Sequence, residues 1–202
     1  MLPPILYLIA ILLNSAPQIQ LPIDAPDRQE IDFIELTEIG EFGLQRVARK
    51  EVPAHLHTGI DIRRGHGNYL NAPIFAIDRG TVISKREDGP FAQVIIEHDQ
   101  GDLLYWTVYE HIAEIRVELF QKVDSDTQIA RFFNTNELNK YGWQFDHFHF
   151  EVLKKRPVRI KPTSENPDRL FYSHTLACFN EQELINNFFH PLEFLSSHFE
   201  SQ

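Results

Sequence analysis

Apolar and polar residues alternate in short runs through the middle of the chain, which is the pattern of half-buried β-strands. Glycine-containing turns at Arg-Gly, Asp-Gly and Gln-Gly pairs separate these runs. Short strands at this spacing, with few helical patterns between them, indicate an antiparallel β architecture. The predicted strands are Ile74–Ile77, Thr81–Lys85, Gln93–His98, Leu103–Tyr109 and His147–Leu153.

Helical periodicity is confined to the C-terminal part of the chain. The stretch Glu181–Phe189 is apolar-periodic and follows Asn180, a candidate N-cap. We therefore predict a helix there, with Ser196–Phe199 extending the closing segment.

The N-terminal region poses a targeting question. The apolar run Ile5–Leu13 is shorter than the roughly 20 residues needed to cross a bilayer and has the length of a signal-peptide core. No Lys or Arg precedes it, so a short uncleaved anchor or a strand that docks on the domain stays open. Pro17–Pro26 is typical of a linker or extended arm, and Ile31–Leu36 is a candidate strand of the main sheet.

Composition narrows the class of protein. At 202 residues with 43% hydrophobic content, the chain can bury the core of one globular domain with attachments. A net charge of −10 argues against nucleic-acid binding, which depends on clustered Lys and Arg. The single cysteine, Cys178, excludes an intramolecular disulfide and favours buried packing.

Three fragments together supply four histidines and a carboxylate. They are His57-Thr-Gly-Ile-Asp61, Tyr109-Glu-His111 and His147-Phe-His149. The first fragment holds poor helix formers, so it reads as a strand that meets a loop, in which residues i and i+4 share a face. The sequence therefore places His57 and Asp61 on one side of the chain.

The third fragment obeys the same rule at i and i+2. His147 and His149 alternate with apolar residues, so burial of the apolar face turns both imidazoles toward a cleft. The apolar positions are Phe148, Phe150 and Val152. The strand Leu103–His111 is predicted to present His111 in a similar way.

This inventory fits a zinc site with its own acid and base. Zinc accepts imidazole nitrogen and carboxylate oxygen, with three protein ligands and a water in catalytic sites. Bound water then loses a proton near pH 7. No H-E-x-x-H motif is present, so any base would be histidine.

From His57 to Val152, the chain resembles the lysostaphin/LytM-type zinc metallopeptidases, the M23 peptidase family of peptidoglycan endopeptidases. The segment Asn71–Val82 adds to the likeness. The resemblance implies one zinc ion held by His57, Asp61 and His149 and a catalytic pair formed by His111 and His147.

The resemblance also implies a mainly β fold with an antiparallel, barrel-like core and a helical C-terminal insertion. We expect a signal peptide or short hydrophobic segment at 1–20, an N-terminal arm at 21–50, a zinc peptidase domain at 51–153, and an insertion with closing segment at 154–202. The expected activity is hydrolysis of peptide bonds in peptidoglycan by a secreted or periplasmic monomer. Contact with a membrane would come only through the N-terminal segment.

An alternative is a non-catalytic module of the same fold that activates another cell-wall hydrolase. Such modules would be expected to lack a ligand, whereas this chain has all of them. A cupin-type metal barrel would carry its H-x-H early and its lone histidine late, the reverse of the order here.

Two features depart from the family pattern. The closing segment His190–Leu195 is displaced by the insertion Lys154–Phe189, and Trp143–Asp146 stands where a Gly-Pro pair is common. Trp143 is a candidate groove residue, as are Tyr105, Trp106 and Tyr109, although core packing explains Trp106 at least as well. Glu151 shares the histidine face, and the sequence leaves open whether it supports an imidazole or is a solvated residue.

Overall fold

The computed structural model describes residues 19–50, 52–65, 67–87 and 89–199, so the apolar run Ile5–Leu13 lies outside the described residues. Short 3-10 helices occur at Ile31–Phe33, Gly89–Phe91, Trp143–Phe145 and Thr175–Ala177. The α-helices are α1 (Thr135–Tyr141), α2 (Glu181–Asn187) and α3 (Pro191–Phe199). The strands are β1 (Gln45–Arg46), β2 (His55–Leu56), β3 (Ile60–Ile62), β4 (Pro73–Phe75), β5 (Gly80–Arg86), β6 (Gln93–Asp99), β7 (Leu104–Glu110), β8 (Lys122–Val123), β9 (Gln128–Arg131), β10 (Phe148–Leu153), β11 (Val158–Arg159), β12 (Phe171–Tyr172) and β13 (Phe188–Phe189).

The central sheet has the strand order β13-β10-β7-β6-β5-β8, and β3 also pairs with β10. All of these pairings are antiparallel. The predicted mainly β, antiparallel fold with a helical C-terminal part is therefore confirmed, and the sheet formed by the described residues stays open rather than closing into a barrel.

The two faces of the sheet bury different sets of residues. One face carries the main core, in which Phe148, Phe150 and Val152 of β10 are fully buried, as their alternation predicted. The opposite face carries the site histidines at one end. That face also carries an apolar cluster, which is covered by side chains of the insertion, namely Phe171, Cys178, Leu184 and Phe188. The packing role predicted for Cys178 is confirmed.

The insertion is integrated into the fold. Strands β11 and β12 form an antiparallel pair, and Asn180 caps α2 by accepting a hydrogen bond from the amide of Glu183 at 3.0 Å. The predicted helix ends two residues early, because Phe188 and Phe189 pair with β10 as β13. The closing segment is the helix α3.

The first described residues of the chain pack into the core. Ile19, Leu21 and Ile23 are buried, and Ile23 forms a β-bridge with Ile74, so this part of the chain is core and the linker interpretation is wrong there. The strand predicted at 31–36 is also wrong, because that segment begins with a 3-10 helix and makes a single bridge at Leu36. No helix of the described residues is long and apolar enough to cross a membrane.

Candidate metal centre and catalytic cleft

The pairing of β3 with β10 builds the centre of the site. Asp61 and His149 lie opposite each other in this pair. The approach of the two chains depends on Gly59, since a Cβ there would lie 2.3 Å from the carbonyl oxygen of Phe150 and 2.9 Å from the His149 ring. Glycine in the first fragment is therefore a packing requirement.

Three candidate ligand atoms converge at this point. The distance from His57 Nε2 to Asp61 Oδ1 is 3.1 Å, from His57 Nε2 to His149 Nδ1 2.9 Å, and from His149 Nδ1 to Asp61 Oδ1 3.0 Å. All three residues are buried. The structure thus brings together the ligand trio expected from the sequence.

Hydrogen bonds on the outer side of each group fix its orientation. His57 Nδ1 lies 2.8 Å from the Glu41 carbonyl oxygen, and His149 Nε2 lies 3.0 Å from Glu151 Oε1. Each of these nitrogens must donate, because its partner only accepts, and this assigns the tautomer of each neutral ring. Arg46 donates to the remaining oxygen of Asp61 at 2.7 Å. With both rings neutral, the inward atoms of the trio are lone-pair acceptors. A further proton on His149, whose pKa is raised, lies on Nδ1 and is shared with Asp61.

The electrostatics follow from this convergence. Burial opposes ionisation of Asp61, but hydrogen bonds with His149 and His57 outweigh it and hold the pKa of Asp61 far below its usual range. Burial alone would lower the pKa of His149, yet its hydrogen bonds with Asp61 and Glu151 raise that pKa to about 10. Burial lowers the pKa of His57. The ionised Asp61 and the raised pKa of His149 show that a positive charge is stabilised at the centre of the trio.

The donor set fits zinc. Ligands at about 2.0–2.2 Å in a tetrahedron are separated by about 3.3–3.6 Å, and the three inward atoms are already 2.9–3.1 Å apart. Three buried acceptors that face one another need a cation or a shared proton between them. Two imidazoles and one carboxylate are the ligands that zinc takes in many catalytic sites.

Glu151 supports the trio from the same face of β10. Its side chain is fully buried and accepts from His149, so the structure decides for imidazole support over a solvated residue. Its other donors are the hydroxyl groups of Thr58, Ser173 and Thr175. Burial opposes ionisation of Glu151, but the bond with His149 and the hydroxyl groups lower its pKa to about 2.

His111 and His147 lie beside the trio at strand ends. The prediction that a strand continues to His111 is wrong: β7 ends at Glu110, and His111 takes a left-handed conformation with φ 62°. This turn brings its ring centroid to 5.3 Å from that of His147. His147 Nε2 is 3.7 Å from Asp61 Oδ1, outside hydrogen-bond range.

Both of these imidazoles are neutral at pH 7. Burial lowers the pKa of His111 and of His147 to about 4 in each case. His111 Nδ1 donates to the Pro90 carbonyl oxygen at 2.6 Å, which leaves the lone pair on Nε2. A neutral imidazole with a free Nε2 lone pair is a competent proton acceptor.

A groove of about 740 Å³ runs past His147. Tyr69 and Trp143 line it with their ring centroids 5.9 Å apart, and Trp143 is 52% exposed. The other candidate groove aromatics lie in the protein interior, which corrects that part of the sequence interpretation; they are Tyr105, Trp106 and Tyr109. Arg64 fixes the groove wall through a 2.6 Å contact with Asp146.

Sequence reasoning missed three residues that surround the trio. Arg46 comes from β1, whereas Ser173 and Thr175 come from the insertion. Arg46 lies 15 positions from its partner Asp61. Ser173 and Thr175 lie 22 and 24 positions from their partner Glu151. No local periodicity relates such distant positions, so the sequence carried no signal for them.

Several solved structures align with this chain, and the lysostaphin structure shows the same fold. Lysostaphin from Staphylococcus simulans aligns with a TM-score of 0.54 and 14% identity, over 93% of this chain and 58% of that chain. A zinc-containing peptidase from Vibrio cholerae aligns with a TM-score of 0.46 and 25% identity, over 67% of this chain and 37% of that one. SpoIIQ in its complex with SpoIIIAH aligns with a TM-score of 0.46 and 23% identity, over 67% of this chain and 91% of that chain. A search of curated protein sequences found no match.

The family assignment rests on the sequence itself. The family model described as peptidase family M23 matches residues 55–162, which is more than half of the chain and contains all five candidate site residues. The resemblance first seen in the three histidine fragments is confirmed by this match and by the lysostaphin-like fold. The chain belongs to peptidase family M23.

Proposed function

We propose that this protein is a zinc-dependent endopeptidase that hydrolyses peptide bonds in bacterial peptidoglycan. The observation that carries the proposal is the convergence of three buried groups of the metal-ligating type next to two neutral imidazoles. Members of the family are hydrolases that use zinc. The site keeps every group that such chemistry needs.

The proposed metal ligands are His57, Asp61 and His149. Zinc bound there supplies a Lewis acid that polarises a carbonyl group and lowers the pKa of a water molecule. Arg46 holds one oxygen of Asp61 and leaves the other for the metal. The two outward hydrogen bonds of the imidazoles keep their lone pairs pointed inward.

His111 and His147 are the proposed catalytic pair. His111 offers the Nε2 lone pair and takes the proton from the attacking water, because its Nδ1–H is committed to Pro90. His147, beside the trio and the groove, donates to the oxygen on which negative charge develops. The proton held by His111 then passes to the leaving amine, which completes hydrolysis with the imidazole regenerated.

The setting of this activity is part of the proposal. The substrate is a peptide of the cell wall, bound along the groove beside His147, and the protein acts as a secreted or periplasmic monomer. The competing function, a non-catalytic module that activates another hydrolase, predicts the same fold without turnover.

Mass spectrometry of fragments released from purified peptidoglycan tests the proposal with the full chain. The zinc-loaded wild type should release fragments whose masses name the bond that is cut. Both His149→Ala, which removes a proposed ligand, and His147→Ala, which spares the proposed ligands, should release none. If the folded, zinc-loaded wild type releases nothing, the endopeptidase proposal fails and the activator function takes its place.

A further inference from the structure

The carboxylate of Glu151 is buried at the end of the metal site and is saturated with hydrogen bonds. Oε1 contacts His149 Nε2 at 3.0 Å and the Thr175 hydroxyl at 2.6 Å, and it also accepts from Thr58. Oε2 accepts from the Ser173 hydroxyl. A buried carboxylate is stable only when such donors replace its lost hydration.

Two of these four donors come from the insertion. Ser173 and Thr175 lie beyond residue 162, where the match to the family ends. The donors on the domain side, Thr58 and His149, lie within the match. The support of the metal site therefore crosses from the region matched by the family model into the segment that follows it.

The insertion is placed firmly enough to act on the site. Its residue Phe188 pairs with β10 two positions beyond Glu151, and Phe171 packs in the cluster that also holds Leu153. Ser173 follows directly on β12, which is tied to the sheet through Ser84. Ser173 is 2% exposed, so water does not compete for Glu151 there.

The geometry also defines what the support does. Glu151 accepts from Nε2 of His149, and this contact leaves Nδ1 as the atom that faces His57 and Asp61. If Glu151 turned away, the His149 ring would lose the partner that fixes both its rotation and its tautomer. Ser173 opposes that movement by holding Oε2, and Thr175 by holding the same Oε1 that His149 contacts.

We propose that Ser173 and Thr175 are positioning residues of the metal site, which act through Glu151 to hold His149 ready for the metal. The insertion is then a working part of the site in addition to covering the sheet. This inference rests on the proposed role of His149 as a zinc ligand.

The test compares zinc affinity, measured by competition with a chromophoric chelator, in the full-length wild type and in the variant Ser173→Ala/Thr175→Val. Loss of both hydroxyl groups should weaken zinc binding about 10- to 100-fold, the usual effect of removing support behind a ligand. The cobalt-substituted variant should also show an altered d–d absorption spectrum, which reports the geometry of the ligands. Thr175→Ser keeps a hydroxyl group and should bind zinc as the wild type does.

Ser84→Ala is the matched control. Ser84 accepts from the amides of Leu170 and Phe171, at 3.0 and 3.1 Å, so it anchors the insertion without touching Glu151. Its replacement should lower the free energy of unfolding and leave zinc affinity within about threefold of the wild type. Where the double variant does not fold, Ser173→Ala alone carries the test, with an expected loss of about tenfold.

Each outcome has a distinct meaning. Unchanged zinc affinity and cobalt spectrum in a folded Ser173 variant overturn the positioning role and leave the proposed function intact. An equal loss in Ser84→Ala also overturns it, because general loosening of the insertion would then explain the effect. Absence of zinc binding in the wild type overturns the proposed function, and the positioning role with it.

Discussion

The proposed metal trio and the proposed catalytic pair both use histidines but hold them in different ways. In the trio, His57 and His149 are hydrogen-bonded through both ring nitrogens. In the pair, His111 donates to the Pro90 carbonyl oxygen, and the nearest carboxylate oxygen among the described residues is 3.7 Å from His147 Nε2. The trio is fixed on all sides, whereas the pair borders the groove.

This difference reflects where each set lies in the sheet. Asp61 and His149 face each other across β3 and β10, so backbone register sets their separation. His111 and His147 lie just beyond the ends of β7 and β10, where the chain turns. Register gives a fixed arrangement that suits metal binding. Strand ends give access to a substrate while the neighbouring strands still limit movement.

Replacing one histidine of each set should produce the largest effects and tests whether the two sets have separate roles. His147→Gln should lower kcat/KM about 10²- to 10⁴-fold, the usual effect of removing a proton-transfer group, with zinc affinity within a few-fold of the wild type. His149→Gln should lose zinc binding itself. Peptidoglycan digestion and chelator competition on the same samples check both statements. Loss of zinc from His147→Gln would show that the ligand set is wrong.

The register on which the trio depends can be disturbed at Gly59. A Cβ at this position meets the Phe150 carbonyl at 2.3 Å, so Gly59→Ala should lower the free energy of unfolding by about 3 kcal/mol and weaken zinc binding. Denaturant unfolding and zinc competition measure the two effects. Gly65→Ala is the control, because a Cβ there meets no atom within 4 Å. Equal behaviour of the two variants would contradict the packing argument.

His98 is a buried histidine outside the site and can be compared with the histidines of the trio and of the pair. It is fully buried in the core, where its Nδ1 donates to the Arg79 carbonyl and its Nε2 accepts from Thr107, and burial lowers its pKa to about 4. Because the unfolded chain takes up a proton near pH 6.5 and the folded one does not, stability from this group is lost as the pH falls from about 6.5 toward 4.

The measurement for His98 is denaturant unfolding of metal-free protein at pH 7 and pH 5. His98→Asn keeps a donor for Arg79 but cannot titrate. The stability advantage of the wild type over this variant should shrink by about 2 kcal/mol between the two pH values. An advantage that does not change with pH would show that His98 takes up its proton equally in both states.

The smallest expected effect lies in the groove. Trp143→Ala removes an exposed ring that contacts Tyr69 and should raise KM about three- to tenfold, with kcat and zinc affinity unchanged, if it binds substrate equally in ground and transition states. Phe120→Ala is the matched control, because Phe120 is 64% exposed but does not line the groove. A fall in kcat for the Trp143 variant would place this residue with the catalytic pair instead.

Much of the trio could be predicted because its signals are local. Alternation at Phe148, Phe150 and Val152 identified the buried face of β10 and thereby the direction of His149. The spacing of His57 and Asp61 predicted that their side chains lie on one side of the chain, and they meet at 3.1 Å, although His57 lies in the connection between β2 and β3 and only Asp61 is in a strand. Family resemblance then joined fragments that lie far apart in sequence.

Other features depend on contacts that no local pattern encodes. The left-handed conformation of His111 follows from how the chain leaves β7, and the alternation rule stops applying there. Burial of Ile19, Leu21 and Ile23 depends on a partner strand more than 50 positions away at Ile74. The proline-rich composition of this segment suggested a linker. Composition carries no information about a distant pairing partner, so it could not reveal the burial of these residues.

The pairing of Phe189 with Val152 has a consequence for the order in which the protein matures. During synthesis, β10 leaves the ribosome well before residues 171–189, so the histidines are present while the sheet face that holds them is still uncovered. The hydroxyl groups that saturate Glu151 arrive only with that later segment. Completion of the site is thereby coupled to docking of the segment translated after it, and a nascent chain that ends before residue 171 should bind metal more weakly than the full chain does.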